Sequence, residues 1–262
     1  MKLALHGATG RMGRTVARLA AEAQDVRVVG AVCHANDPNL GQDIGELSGV
    51  GNLGVAVGAE VSAALLGADV VIDFSLPGAL SSFLKEAVAA AVPVVSGTTG
   101  ITEEHEQMFT EVSEQIPLLW ARNMSLGVEV LSRAVEEVAR RLGADFDVEI
   151  TDVHHRRKVD CPSGTAKRLA DAVHQARPET SSLFAREGQV GPRTQEEVGV
   201  FGLRGGDVIG DHTVYFFGPG ERIELTHRAT NRDLFAHGAL RAARWIVGQP
   251  KGRYTIADVL DG

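Results

Sequence analysis

Short apolar runs alternate with helix-like patterns along the first half of the chain. Residues 2–6 and 27–32 are apolar runs of strand length, and residues 14–23 between them have helical spacing with many alanines. The rhythm continues, with strands predicted at 55–57, 69–74, 92–95 and 117–121 and helices at 62–66, 78–90 and 102–115. Residues 37–53 lack periodicity and are predicted to be a loop. Strands that alternate with helices predict an α/β fold with a doubly wound parallel sheet, whose ligand site lies at the carboxyl ends of the strands.

The second half of the chain follows a different pattern. A long amphipathic helix is predicted at 126–142, followed by a strand at 146–153 and a helix at 163–175. Residues 177–193 are predicted to be an irregular polar connection. Runs at 197–204, 208–217 and 221–228, separated by glycine-containing breaks, predict antiparallel strands, and a closing helix follows at 233–247. This change of pattern predicts a second domain of the α+β class.

The turn after the first strand contains three glycines, Gly7, Gly10 and Gly13. Glycine lets the backbone approach a pyrophosphate, and the helix that follows offers N–H groups to the phosphate oxygens. The spacing G-x-x-G-x-x-G differs from the commoner G-x-G-x-x-G, and a plain turn would explain one or two of the glycines. In its strand–turn–helix context, the motif predicts a dinucleotide site. The residues expected to line it are Gly7, Ala8, Thr9, Gly10, Arg11 and Met12.

The turn after the second strand bears on the choice of cofactor. It contains Cys33 and His34, where NAD-binding folds usually place an Asp or Glu to hold the ribose hydroxyl. No carboxylate is expected there to repel a 2′-phosphate, and His34 and Arg11 could attract that phosphate. The turn therefore slightly favours NADPH over NADH.

Three more segments follow predicted strands and are expected at the same edge of the sheet. They are residues 73–75, 97–99 and 121–124. Each by itself could be an ordinary turn between a strand and a helix.

The most particular stretch is T-D-V-H-H-R-R-K-V-D-C-P-S-G-T-A at residues 151–166. Histidine titrates near neutrality and can transfer a proton, while arginine and lysine attract carboxylate or phosphate. The helix start at 162–165 adds backbone N–H groups that stabilise an anion. The stretch predicts a pocket for a small anionic substrate with proton-transfer groups beside it.

This basic stretch has two other interpretations. A solvated loop or a nucleic-acid patch is the ordinary explanation of such a run, but the chain has a net charge of −8 and lacks a broad positive field. Zinc ligation by His154, His155 and Asp152 is disfavoured, because adjacent side chains of a strand point to opposite faces. Neither nucleic acid nor a metal is expected.

Composition sets broad limits. Hydrophobic residues make up 44% and charged residues 23% of 262, which is typical of a globular protein. There is no apolar run of membrane-spanning length and no signal-peptide pattern, so a cytoplasmic protein without a membrane partner is expected. Two cysteines fit a reducing compartment.

The string E-I-T-D-V-H-H-R-R-K-V-D-C-P-S-G-T-A resembles the signature of the 4-hydroxy-tetrahydrodipicolinate reductase family, also called dihydrodipicolinate reductases. The resemblance implies NAD(P)H-dependent reduction of 4-hydroxy-2,3,4,5-tetrahydrodipicolinate with loss of water, in diaminopimelate and lysine synthesis. It implies that His154 is the proton donor/acceptor and Lys158 a second proton donor. It also implies that the substrate carboxylates bind to His155, Gly164 and Thr165.

The resemblance extends over nearly the whole chain. It implies that Gly97, Thr98 and Thr99 and the segment Ala121, Arg122, Asn123 and Met124 hold the nicotinamide end, although many relatives have Pro, Ala or Ser in place of Arg122. It implies a dinucleotide-binding domain at 1–124 plus 232–262 and a substrate-binding and oligomerisation domain at 125–231. A homotetramer assembled through the sheet of the second domain is also implied.

Strand parity alone leaves the role of His155 open. In an extended run His154, Arg156 and Lys158 would share one face, and His155 and Arg157 the other. Three other functions stay possible at this point: a reductase of another cyclic imine or keto acid, a non-catalytic NAD(P)-sensing protein and, less favoured, a metal-dependent hydrolase.

Overall fold

The structure, a computed structural model, describes all 262 residues. The chain forms two compact units, Met1–Ser125 with Asp233–Gly262, and Leu126–Arg232. Each unit has its own sheet and its own buried apolar core. None of the helices combines the length and the apolar content needed to cross a membrane.

The strands in chain order are β1 Lys2–His6, β2 Arg27–Val32, β3 Val57–Gly58, β4 Val70–Asp73, β5 Val94–Ser96, β6 Pro117–Trp120, β7 Asp147–His154, β8 Ser181–Leu183, β9 Glu197–Arg204, β10 Gly210–Gly218, β11 Glu221–Ala229 and β12 Gly252–Tyr254. The α-helices are α1 Arg11–Glu22, α2 Ile44–Ser48, α3 Val61–Leu65, α4 Leu80–Ala89, α5 Glu103–Ser113, α6 Leu126–Leu142, α7 Gly164–Ala176, α8 Asp233–Ile246 and α9 Asp258–Asp261.

The first unit is built on a parallel seven-stranded sheet in the order β12-β6-β5-β4-β1-β2-β3. Residues of β1, β4, β5 and β6 pack against α4 and α5 in one apolar cluster, while α1 and α8 contact each other. The carboxyl ends of β1, β2, β4, β5 and β6 therefore lie at one edge of the sheet. This is the edge at which doubly wound folds bind their ligands.

The second unit has a mixed five-stranded sheet in the order β11-β10-β7-β9-β8. Helices α6 and α7 cover one face, and their apolar residues pack against alternate residues of the central strands, such as Val148 and Ile150 of β7 and Val214 of β10. Together the two units confirm the predicted class, a Rossmann-type doubly wound parallel sheet with a second α+β unit.

Several local predictions need correction. The loop predicted at 37–53 contains α2, because the Asp43 carboxylate accepts hydrogen bonds from the N–H groups of Gly45 and Glu46 and so caps a helix start. The predicted irregular segment at 177–193 contains β8. Strand β9 is parallel to β7, not antiparallel, since the connection between them includes the crossover helix α7. Beyond α8, β12 and α9 were not predicted.

Candidate active site

The glycine turn of the first unit has the shape of a nucleotide cradle. Gly7 has φ of +73°, and a Cβ there would lie 2.6 Å from the carbonyl oxygen of Phe74. Gly10 immediately precedes α1, and a Cβ on Gly13 would lie 2.4 Å from the carbonyl oxygen of Gly7. Only glycine fits at positions 7 and 13, so the turn stays tight against the start of a helix of 12 residues. The residues present therefore fit a dinucleotide. Of the six residues predicted to line the site, Gly7, Ala8, Thr9 and Gly10 form the turn, and Arg11 and Met12 begin α1.

The segments at 97–99 and 121–124 lie beside one another at the same edge. The N–H of Gly97 donates to the carbonyl of Asp73 (2.8 Å), and the N–H of Ala121 donates to that of Ser96 (3.1 Å). The Trp120 indole N–H donates to the carbonyl of Thr98 (2.9 Å). Among the predicted residues, Thr99 and Arg122 are exposed, Gly97 and Asn123 are half-buried, and Thr98, Ala121 and Met124 are buried.

The turn after β2 corrects the argument about the cofactor. His34 is exposed, as expected for a group that could meet a phosphate. The assumption that no carboxylate lies near this turn is wrong, because Asp37 folds back and accepts a hydrogen bond from the Thr9 hydroxyl (2.6 Å). Hydrogen bonds from the Thr9 side chain and from the backbone and side chain of Asn39 hold the pKa of Asp37 below its ordinary value. A negative charge therefore faces the first glycine turn.

Below this edge lies a buried polar cluster that the sequence interpretation missed. The Asp73 carboxylate is fully buried and lies 2.8 Å from His6 Nδ1. It also accepts hydrogen bonds from the hydroxyls of Ser96 (2.6 Å) and Thr98 (2.8 Å) and from the N–H of Ser75 (3.0 Å). Burial alone would raise the pKa of Asp73, but the hydrogen bonds, that of His6 first, outweigh it and lower the pKa. The cluster ties together the ends of β1, β4 and β5.

In the second unit, β7 delivers the predicted proton donor. Every second residue of β7 is buried, and this row begins with Val148 and Ile150 and ends with Asp152 and His154. His154 Nδ1 lies 2.9 Å from Asp152 Oδ1, with the carboxylate completely inaccessible to solvent. The separation is that of a hydrogen bond, but the ring is not aligned for one. Catalytic hydrogen bonds commonly reach full alignment only when substrate binds.

Asp152 has three other neighbours. His212 Nε2 of β10 lies 3.2 Å from the same Oδ1, while Oδ2 accepts hydrogen bonds from the N–H of Ser163 (2.8 Å) and from Arg204 (3.0 Å). Burial would raise the pKa of Asp152, but the adjacent His154 and His212 rings and the hydrogen bond from the Ser163 N–H prevail and hold it far below its ordinary range. The carboxylate is therefore ionised throughout the physiological range.

The chain leaves its extended course directly after His154. His155 follows the strand, Arg156 and Arg157 form a turn, and the N–H of Lys158 donates to the carbonyl of His155 (3.1 Å). The assumption of an extended run is therefore wrong beyond His154, and parity does not place Arg156 or Lys158. The Lys158 ammonium lies 2.8 Å from the Asp160 carboxylate.

His155 lies in a strongly positive environment. Burial of its ring lowers its pKa first, and the charges of Arg232 and Arg157, followed by His154 and Lys158, lower it further. Its Nδ1 is buried. His155 is therefore neutral near pH 7 and surrounded by cations, an environment that an anion would relieve.

The predicted helix start is present. Ser163 is the N-cap of α7, and its hydroxyl accepts a hydrogen bond from the N–H of Ala166 (3.2 Å). Gly164 and Thr165 occupy the first turn of this helix of 13 residues, the position at which backbone N–H groups stabilise an anion.

Asp152, His154 and His212 are also a donor set of the kind that binds transition metals, with ligand atoms within 4.8 Å of one another. The set differs from the one rejected from the sequence, since His212 replaces His155. The guanidinium of Arg204 already contacts the same carboxylate, and its positive charge opposes a cation there.

The sequence contained a signal for Asp152 but not for His212. Counting back by two from His154 along the strand places Asp152 on the same face. His212 lies 58 residues beyond His154 in the chain and becomes its neighbour only through the antiparallel register that pairs His212 with Asp152.

Comparisons with known proteins agree over the full length of the chain. Residues 1–124 match the family model described as dihydrodipicolinate reductase, N-terminus, and residues 127–260 match dihydrodipicolinate reductase, C-terminus. The chain is 48% identical to 4-hydroxy-tetrahydrodipicolinate reductase of Myxococcus xanthus, over 99% of this chain and 97% of that protein. It is 45% identical to the protein of the same name from Anaeromyxobacter dehalogenans, over 99% and 97%.

A solved structure has the same fold. Dipicolinate-bound dihydrodipicolinate reductase from Paenisporosarcina sp. TG-14 superimposes with a TM-score of 0.76 over 97% of each chain, at 23% identity. The resemblance inferred from the basic stretch is thereby confirmed: the chain belongs to the dihydrodipicolinate reductase family.

Proposed function

We propose that the chain reduces 4-hydroxy-2,3,4,5-tetrahydrodipicolinate to 2,3,4,5-tetrahydrodipicolinate, with loss of water, at the expense of a nicotinamide cofactor, in the diaminopimelate and lysine pathway. The observation that carries this proposal is full-length identity of 48% to a reductase of this name. The link from His154 through Asp152 to Ser163, the N-cap of α7, supports the same function.

The first unit provides the cofactor groove. The glycine turn and the start of α1 suit the pyrophosphate, and we assign the nicotinamide end to the segments 97–99 and 121–124. When bound, the cofactor supplies hydride to a carbon of the substrate.

The second unit provides charge and protons. The substrate is a cyclic dicarboxylate, and we assign its carboxylates to His155 and to the backbone N–H groups of Gly164 and Thr165. The cations around His155 support this assignment. His154 is the proposed proton donor/acceptor and Lys158 a second proton donor, which has to exchange its contact with Asp160 for one with substrate.

Both NADH and NADPH are expected to serve, with NADPH slightly preferred. Arg11 and His34 are exposed and favour the 2′-phosphate, while the Asp37 carboxylate opposes it. The preference is small because these charges partly cancel.

We further propose that residues 1–124 with 232–262 form the cofactor domain and residues 125–231 the substrate and oligomerisation domain, and that the chain acts in the cytoplasm as a homotetramer assembled through the second sheet. Size-exclusion chromatography with light scattering tests the assembly. A monomer would contradict it.

The test of the activity is the loss of NADPH or NADH absorbance with enzymatically generated hydroxy-tetrahydrodipicolinate as substrate. We expect rapid oxidation with both cofactors and almost none with the His154→Gln variant. A protein that binds cofactor but oxidises neither form would contradict the proposal and favour an NAD(P)-sensing role. Oxidation with other cyclic imines or keto acids, but not with this substrate, would favour a different reductase.

A further inference from the structure

The two ring nitrogens of His154 have different surroundings. Nδ1 lies 2.9 Å from Asp152 Oδ1, whereas Nε2 faces the backbone of Gly210 at the start of β10. A Cβ on Gly210 would lie 2.9 Å from Nε2, so the lack of a side chain leaves space on that side of the ring. One nitrogen therefore faces a buried carboxylate, and the other faces a glycine that has no side chain to cover it.

This asymmetry determines which nitrogen can exchange a proton. A neutral imidazole carries one hydrogen, and its location is set by the partner of the ring. An ionised carboxylate only accepts hydrogen bonds, so its proximity to Nδ1 favours the tautomer with hydrogen on that nitrogen. Nε2 is then the nitrogen that gains and loses the proton used in the reaction.

Asp152 itself is held firmly by other elements. The backbone N–H of Ser163 and the Arg204 guanidinium bind its Oδ2 (2.8 and 3.0 Å), and both come from segments outside β7. His212 Nε2 lies 3.2 Å from Oδ1 and also 3.2 Å from the Ser163 hydroxyl. The carboxylate cannot rotate without breaking several of these contacts.

We propose that Asp152 is a positioning residue of the reaction: it holds His154 in the tautomer with hydrogen on Nδ1, and it links that ring to the start of α7. The proposal rests on the function proposed for His154. Through Ser163, the same carboxylate fixes the turn that carries Gly164 and Thr165, so the proton donor and the assigned carboxylate-binding N–H groups share one anchor. A chain without this anchor would still bind cofactor, because the glycine turn belongs to the other unit.

The test is the Asp152→Asn variant of the full chain. The amide has the size of the carboxylate, but its NH₂ group facing His154 would favour hydrogen on Nε2 instead of Nδ1. We expect kcat to fall by about 10²–10⁴-fold, the range for losing a proton-transfer group, with the dissociation constant of NADPH unchanged. Long-range ¹H–¹⁵N NMR spectra, with the His154 signals assigned by the His154→Gln variant, should show a change of tautomer.

The matched control is Asp147→Asn, the same substitution at the first residue of β7, where the side chain is 42% exposed. It should leave kcat and the His154 tautomer unchanged. Asp152→Glu retains the charge and should recover part of the lost turnover, which a merely structural role would not produce.

The outcomes separate the two proposals. If kcat of Asp152→Asn is close to that of the protein without substitutions, the positioning role is overturned. It is also overturned if His154 of the protein without substitutions carries hydrogen on Nε2. The second measurement needs no variant of Asp152, so it decides even if Asp152→Asn does not fold. A third outcome is also informative: the protein without substitutions has no turnover, its His154 carries hydrogen on Nδ1, and Asp152→Asn loses this tautomer. That result would contradict the proposed reaction while supporting the positioning role.

Discussion

Each unit buries one aspartate beside a histidine, and the two pairs differ in how completely their polar atoms are satisfied. Asp73 and Asp152 are both fully buried, and their carboxylates lie 2.8 and 2.9 Å from the Nδ1 of His6 and His154. Asp73 has aligned bonds to both oxygens, from His6, two hydroxyls and a backbone N–H. In Asp152, Oδ2 is well bound, whereas Oδ1 is shared by two imidazoles without good alignment.

We expect this difference to separate a structural pair, His6 and Asp73, from the proposed functional pair, His154 and Asp152. A fully satisfied buried network rigidifies the elements it joins, and the His6 ring is also stacked on Phe83 at 4.3 Å. An incompletely satisfied buried group calls for another explanation, and proton transfer is one. A buried carboxylate and a histidine at a strand end are therefore not enough to identify a catalytic pair. We expect the state of their remaining hydrogen-bonding atoms to distinguish the two pairs.

The largest expected contrast is between His154→Gln and His6→Gln. His154→Gln should lower kcat by about 10²–10⁴-fold because it removes the proposed proton donor/acceptor, with cofactor affinity unchanged. His6→Gln should retain kcat and lower the denaturation midpoint instead. Steady-state kinetics, cofactor titration and urea denaturation of both variants decide this. Near-normal turnover in His154→Gln, or a loss of similar size in a stable His6→Gln protein, would remove the distinction between the pairs.

The next contrast concerns stability. Asp73→Ala should lower the free energy of unfolding by several kcal/mol, because it leaves the buried groups of Ser96, Thr98 and His6 without their partner, and each unsatisfied group costs about 1–3 kcal/mol. Because the pKa of Asp73 is lowered in the folded protein, its contribution is present above the unfolded pKa of about 3.9 and is lost as the pH falls through the folded value. The difference between the variant and the unchanged protein should therefore narrow on acidification.

Urea denaturation at several pH values measures this. Asp25→Ala is the control, because Asp25 forms an exposed ion pair with Arg244 in the same unit. Its effect should be much smaller. Equal effects of the two substitutions would show that the Asp73 network does not stabilise the sheet edge.

A smaller effect, on the pH dependence of ligand binding, is expected at His155, which has no counterpart around Asp73. The pKa of His155 is lowered by burial and then by Arg232, Arg157, His154 and Lys158, so the ring is neutral near pH 7. A bound dicarboxylate would favour the charged ring and raise its pKa. Binding of pyridine-2,6-dicarboxylate should therefore take up protons and strengthen as the pH falls, by up to about tenfold per pH unit for one linked proton.

Calorimetry in buffers of different ionisation enthalpy counts these protons. His155→Gln should abolish most of the uptake, whereas His174→Gln, at a histidine bonded to Thr180 and Ser182, should not. Proton uptake that is the same in His155→Gln as in the unchanged protein would assign the linkage to another group.

The sequence predicted the fold better than the site. Apolar periodicity is a local property, so β1, β2, α6 and β9 have the predicted bounds. Strand pairing is not local, and the parallel course of β9 beside β7 was missed for that reason. The same limit hid His212, which joins Asp152 only through the register of β10 with β7. The turn after His154 was also missed, because the basic residues there have no periodic pattern.

The smallest expected effect concerns Asp37, whose carboxylate faces the Thr9 hydroxyl at 2.6 Å on the glycine turn. Unlike Asp73 and Asp152 it is half-buried, so solvent weakens its action on a nearby phosphate. Asp37→Asn keeps the shape but removes the charge, and should raise the ratio of kcat/KM for NADPH to that for NADH by roughly threefold to tenfold. Arg11→Ala, which removes the opposite charge, should lower the same ratio. If neither substitution changes the ratio of kcat/KM for the two cofactors, residues outside this turn determine the choice of cofactor. The half-buried carboxylate of Asp37 would then have no role in cofactor selection.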